Sequence, residues 1–168
     1  MISRRQFLRA DFSSRRSVLR PPWALAEAQF LGRCDGCGNC LKACMQHIIV
    51  LADSSYPRID FLNGACTFCG RCAESCPTGA LRRPDTSTPP WLLKARTDDR
   101  CLTFQGVVCR SCGEQCETGA IRFRFTKGGI GQPQVNAAAC TGCGACFAVC
   151  PAQAIALRDD AVYQEACA

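Results

Sequence analysis

A single histidine, His47, is all this chain offers. One imidazole cannot build a His-rich metal site, and no Ser/His/Asp or Cys/His nucleophile can be assembled around it. Glycine-rich phosphate loops are missing as well. There is no basic face interleaved with aromatics of the kind that holds a nucleic acid, so no nucleic-acid partner is expected. Two Met, two Trp and two Tyr leave little to fill a deep core. The 48% hydrophobic share misleads here, because it counts cysteine. From Gly128 to Leu157 no residue is charged, yet this stretch carries Pro133, Pro151, Gln132, Gln134, Asn136 and four cysteines. It is therefore expected to sit in a soluble protein, not in lipid.

What the chain has in excess is cysteine, 17 among 168 residues. So high a share in so short a chain means disulfides or metal. With little else to pack, an inorganic group is expected to serve as the staple.

The cysteines fall into four blocks. Cys34, Cys37, Cys40 and Cys44 form the first; Cys66, Cys69, Cys72 and Cys76, followed by Pro77, form the second. Cys140, Cys143, Cys146 and Cys150, followed by Pro151, repeat that pattern. The remaining block is stretched: seven residues separate Cys101 from Cys109, after which Cys112 and Cys116 keep the usual spacing. The tails after the last cysteines also rhyme, as MQHII, PTGAL, ETGAI and PAQAI.

That spacing has a chemical reason. A cubane iron–sulfur cluster needs four thiolates at the corners of a tetrahedron, and cysteines at every third residue wrap three corners with one short loop. Such a loop also turns amide N–H groups toward the sulfurs. Zinc ribbons use paired CxxC units without a third cysteine two residues on. Disulfides fail on the odd count and on the tightness of the loops. The three regular blocks are thus read as [4Fe-4S] sites, and the Cys101 block as a fourth, with Gly106 helping the long gap to bend. If that gap cannot deliver the first ligand, the block holds a three-iron cluster or nothing.

In two-cluster ferredoxins the fourth cysteine of one run ligates the other cluster. The expected ligand sets are therefore crossed: Cys34, Cys37 and Cys40 with Cys76; Cys66, Cys69 and Cys72 with Cys44; Cys101, Cys109 and Cys112 with Cys150; Cys140, Cys143 and Cys146 with Cys116. His47 and Asp35 are read as structural, and Cys167 as a free thiol.

Between the first two blocks, Ile48–Leu51 and Arg58–Phe61 flank a turn and predict a hairpin. Between the last two, Ile121, Phe123 and Phe125 alternate with Arg122 and Arg124, and Gln134–Asn136 returns. The reading is an α+β protein of two tandem bis-cluster ferredoxin-like modules. The boundaries are 1–28 for a basic extension, 29–83 for the first module, 84–90 for a polar linker and 91–168 for the second module, with Trp91-Leu92-Leu93 packing one module on the other. Charge follows the same division. Seven arginines face two acids in residues 1–33, which account for nearly all of the formal +6. Four loaded clusters would add about −8 to the body.

Further motifs carry a resemblance over nearly the whole chain: Ser3-Arg4-Arg5, Arg20-Pro21-Pro22-Trp23, Tyr56-Pro57, all four cysteine blocks, and Gln132-Pro133-Gln134-Val135-Asn136. With these the sequence resembles the NapF family of ferredoxin-type proteins of the periplasmic nitrate reductase system. The resemblance implies a cytoplasmic protein with no catalytic site of its own. It also implies contact with the precursor of the molybdenum catalytic subunit, in cluster assembly or redox poise before export. A dedicated electron carrier feeding a membrane or periplasmic oxidoreductase is the alternative. The arginine pair at 4–5 is then an imitation of an export signal, because Asp11, Arg15, Arg16, Arg20 and Pro21-Pro22 interrupt the apolar run that such a signal needs.

Overall fold

The computed structural model describes residues 18–51, 55–85, 88–125 and 129–159. The arginine pairs at 4–5 and 15–16, and Cys167, lie outside the described residues. In chain order the elements are α1 (Glu27–Arg33), α2 (Asn39–Ala43), β1 (Ile49–Leu51), β2 (Pro57–Ile59), a 3-10 turn (Phe61–Asn63), α3 (Arg71–Glu74), β3 (Leu93–Thr97), α4 (Ser111–Glu114), β4 (Ile121–Phe125), β5 (Gly131–Val135), α5 (Ala145–Ala148) and β6 (Ile155–Asp159). This is a small mixed helix-and-strand fold. Its helices are far too short to persist alone in water, so tertiary anchoring holds them.

Each half carries a hairpin between its two cysteine loops. β1 pairs antiparallel with β2, setting Ile49 opposite Ile59, and β4 pairs with β5, setting Phe123 opposite Pro133. A third pair was not legible in advance: β3 runs antiparallel to β6, with Ala95 opposite Leu157. It ties the start of the second half to its end. The first half makes the same closure with a lone bridge between Ala24 and Leu81.

Residues grouped by sequence with the basic extension are built into the first half. Pro21 and Pro22 are fully buried, and the Leu19 carbonyl accepts the Ile59 amide at 2.7 Å. Arg20 donates to both carboxylate oxygens of Glu27 at 2.9 and 2.7 Å and to the Pro57 carbonyl. Its guanidinium also lies 4.8 Å from the Phe30 ring centre and 5.8 Å from that of Tyr56. A cation so enclosed is tolerated because each guanidinium nitrogen donates to an oxygen while aromatic rings lie against its plane.

The stretch between the halves is held as well. The Trp23 amide donates to the Pro90 carbonyl at 2.8 Å, its indole N–H donates to the Thr88 carbonyl, and Arg83 stacks on its ring. Trp91 then lies edge-on to Phe61 and Phe68 of the first half and donates its indole N–H to the Thr141 carbonyl at 3.0 Å. Trp91 thus joins the halves as expected, whereas Leu92 points half into solvent and Leu93 is buried.

The four rhyming tails are one structural device. The third residue after each last cysteine, His47, Gly79, Gly119 or Gln153, is left-handed, with φ between 48° and 66°. Its amide donates to the carbonyl of that cysteine at 2.9–3.4 Å. The next residue, Ile48, Ala80, Ala120 or Ala154, is then buried completely or nearly so. His47 is therefore structural through its backbone. A side chain in this region costs about 1–2 kcal/mol, so His47→Gly and Gln153→Gly should each stabilise by up to about 1 kcal/mol after the entropy cost of glycine. An added Cβ at Gly119 meets nothing within 4 Å, so Gly119→Ala should destabilise by about the same amount through conformation alone. Urea midpoints followed by circular dichroism would show these opposite shifts.

Candidate metal centres

The sixteen described cysteines line four cavities, and each cavity draws three thiols from one loop and one from the other loop of the same half. Cys34, Cys37, Cys40 and Cys76 line the first, about 320 Å³ including its open mouth, with Phe30 and Leu81 in its wall. The second, about 410 Å³, takes Cys44, Cys66, Cys69 and Cys72, backed by Trp23 and Ile48. In the second half, Cys101, Cys109, Cys112 and Cys150 line about 360 Å³ together with Leu102 and Phe123. Cys116, Cys140, Cys143 and Cys146 line about 310 Å³ beside Ala95 and Leu157.

Local backbone geometry explains how short loops achieve this. Gly38, Gly70 and Gly144 cap α2, α3 and α5 with left-handed φ of 74°, 82° and 87°, which turns the chain from loop into helix. The third cysteine of each loop sits inside the one-turn helix that follows and is buried: Cys40, Cys72, Cys112 and Cys146. The fourth lies just beyond the helix. Each one-turn helix thus delivers thiols to two different cavities.

The stretched block reaches the same end by another path. Leu102 to Gly106 form a compact turn in which the Phe104 amide donates to the Cys101 carbonyl and the Val107 amide to that of Leu102, both at 2.9 Å. Gly106 closes it at φ 81°, the bend expected of it. Arg110, with φ −133°, stands where the other loops use a left-handed glycine, a departure absorbed by the longer approach.

The electrostatics suit a multiply charged cationic body. Burial, then the charges of the facing cysteines, push Cys40, Cys66 and Cys112 up to about 11 and Cys72 and Cys146 up to about 12. Facing charge comes from across the loops: Cys76 acts on Cys40, Cys44 on Cys72 and Cys150 on Cys112. Burial also raises Cys76 and Cys116, but there donors win and hold both thiols below their ordinary value. For Cys76 these are the Leu81 amide, the Thr78 hydroxyl and the Ala80 and Thr78 amides. For Cys116 they are the Thr118 hydroxyl and the amides of Ile121, Ala120 and Thr118.

Hydroxyl partners of the sulfurs were missed by sequence reasoning. Thr78 lies 3.6 Å from Cys76 Sγ, Thr118 3.6 Å from Cys116 Sγ, Ser111 3.7 Å from Cys109 Sγ and Thr103 3.3 Å from Cys101 Sγ. The readable signal was Cys-x-Thr/Ser, present at all four places. Thr103 is also a buried polar residue in the core. Asp35 accepts the Cys37 amide at 3.1 Å and shapes the first loop, as a structural residue should.

The donor set fits an iron–sulfur cluster. All four groups at each cavity are thiols, soft donors suited to iron–sulfur chemistry, and they surround a space instead of meeting at a point. Among the described residues no three His, Cys, Asp or Glu side chains converge to hold a single metal ion. No helix among them is long and apolar enough to cross a membrane.

Comparison with known proteins points to the same chemistry, with family matches that take in every described cysteine except Cys101. The 4Fe-4S dicluster domain family matches twice in tandem, at residues 33–80 and 107–154. The ferredoxin-type protein NapF of Haemophilus influenzae is 40% identical over 168 aligned residues, covering 94% of each chain. NapF of Escherichia coli strain K12 is 41% identical over 153, covering 91% of this chain and 92% of its own. More distant is the methylamine utilization ferredoxin-type protein MauM of Methylophilus methylotrophus, 33% identical over 84% of this chain and 70% of its own. Tandem dicluster halves, and likeness to the NapF proteins from end to end, mean that the chain belongs to the NapF family of ferredoxin-type iron–sulfur proteins.

Proposed function

We propose that the protein is a four-cluster accessory factor, with one [4Fe-4S] cluster in each cavity and the crossed cysteine sets as ligands. It serves maturation of the catalytic molybdenum subunit of the periplasmic nitrate reductase, in precursor form and before export. The observation that carries the cluster reading is the gathering of four thiols, three from one loop and one from its neighbour, at every cavity. A bound cluster supplies a one-electron redox centre. The chain's own part is to hold four thiolates in a dry wall and to neutralise them with amide and hydroxyl donors.

Several features support an accessory role over an enzymatic one. The one histidine, His47, is exposed and set in a turn, where its role is that of its backbone. The basic head and the likeness to NapF proteins favour a cytoplasmic protein that engages a partner. The electron-carrier reading draws support from the contact between the two halves, which brings ligand-bearing loops together.

Anaerobically prepared protein should contain about 16 iron and 16 sulfide per chain. About 12 of each would mean that the Cys101 set is empty, and stoichiometric zinc with little labile sulfide would overturn the cluster reading. Because α2 spans two cavities, Cys44→Ala should damage the centre shared with Cys66, Cys69 and Cys72 and spare the one shared with Cys34, Cys37 and Cys40. Loss confined to the latter would contradict the crossing.

The maturation role is tested through the head. Removing residues 3–17 stops short of Leu19 to Trp23, which the first half needs for packing. This truncation should keep its iron but capture the reductase precursor more weakly, and the difference should shrink as salt screens the lost charge. Undiminished capture at low salt would remove the head from recognition. Recovery of the intact protein from the periplasm with a new N-terminus near Glu27 would overturn the location and the role together.

A further inference from the structure

The two halves meet through their cluster loops. The Cys66 amide, in the second loop of the first half, donates to the Cys143 carbonyl, in the last loop of the second half, at 2.8 Å. Around this bond Trp91 packs on Phe61 and Phe68 and donates to Thr141, and Phe61 also packs on Phe147.

The last loop is shaped for that approach in a way the first loop is not. A Cβ added at Gly144 would collide with the Phe61 ring, and one at Gly142 would strike the Leu93 carbonyl and the Trp91 indole. At Gly38, in the first loop, an added Cβ meets nothing, and at Gly36 only Ser55. Gly144 therefore serves close contact between the halves as well as left-handed backbone, and Gly142 leaves room for the Trp91 indole that packs on the first half.

We propose that the Cys66–Cys143 contact is an electron-transfer junction, so that the protein conducts across both halves and does not act as two independent two-cluster ferredoxins. The inference rests on the reading that the four cavities hold clusters. Within each half the path is already bridged, because Cys40 and Cys44 sit on and just beyond one short helix, as do Cys72 and Cys76, Cys112 and Cys116, and Cys146 and Cys150. The junction then sets the order of sites: the Cys34 set, the Cys66 set, the Cys140 set, the Cys101 set. Electron tunnelling decays exponentially with distance, and a direct hydrogen bond between two ligand residues, walled by aromatic rings, is a short route from one half to the other. In each step one centre is oxidised and its neighbour reduced by one electron, with no bond made or broken. The electron enters from a one-electron donor, a reduced flavin or iron–sulfur centre, and leaves to an acceptor of the same class.

The test isolates the junction in the full chain. Combining Cys34→Ala, Cys37→Ala, Cys101→Ala and Cys109→Ala removes the outer sets and keeps the Cys66 and Cys140 sets whole, which should hold about eight iron. After dithionite reduction the electron paramagnetic resonance spectrum should show two interacting spins, with a splitting that shrinks when Trp91→Ala is added. Eight iron with two additive, non-interacting signals would overturn the junction, whereas unmodified protein without iron would overturn the cluster reading instead. Should the fourfold variant fail to load, the unmodified chain answers through pulse radiolysis. One-electron reduction should be followed by a concentration-independent redistribution between centres, severalfold slower in Trp91→Ala at equal iron content. An unchanged rate at equal iron content would refute the proposal.

Discussion

Four thiolates facing one another across an apolar cavity are an unfavourable arrangement in the absence of positive charge. Burial and mutual repulsion push the innermost groups, Cys72 and Cys146, up to about 12, so a set of four thiolates is costly there until something cationic enters. Much of the structure can be understood from that constraint. The one-turn helices have no stability of their own and are held at both ends by cysteines. The amides of Leu81 and Ala154 point at Cys76 and Cys150 from 3.5 and 3.2 Å, where they offset negative charge. Binding of a metal body must expel protons from such thiols, which couples loading to folding and to pH.

The repeated left-handed turn after each fourth cysteine supplies those donors. Once His47, Gly79, Gly119 or Gln153 reverses the chain, the following buried residue is pressed into the core, and after Gly79, Gly119 and Gln153 backbone amides also turn back toward the sulfur. This explains why the tails rhyme in pattern and not in identity. The left-handed position tolerates glycine best but accepts histidine and glutamine, while the next position demands a compact apolar side chain.

The cysteine blocks and both hairpins were legible because their signals are local: fixed spacing in the one case, alternation around a polar turn in the other. The β3–β6 pair was not. Ala154 to Leu157 ends a long uncharged stretch with no polar alternation, and its partner Leu93–Thr97 lies some sixty residues earlier in the chain. The cavity of the stretched block was only half legible, since a seven-residue gap does not reveal that it folds into a turn presenting Thr103 to Cys101. The place of Arg20 was hidden by charge. An arginine in a basic head looks solvated, and only the spatial arrival of Glu27, Phe30 and Tyr56 makes it an interior group.

The crossing of loops within each half also bears on how the protein is born. Translation runs from the N-terminus, and every thiol of the first two cavities has been made once Cys76 is polymerised. The second half must wait for Cys150, because its first loop borrows its fourth thiol from the last block. A nascent chain therefore passes through an interval in which one half can close while Cys101, Cys109 and Cys112 stand exposed with no fourth partner. That interval is when oxygen or a stray metal would find the chain most vulnerable, and the stretched loop is the part that waits longest.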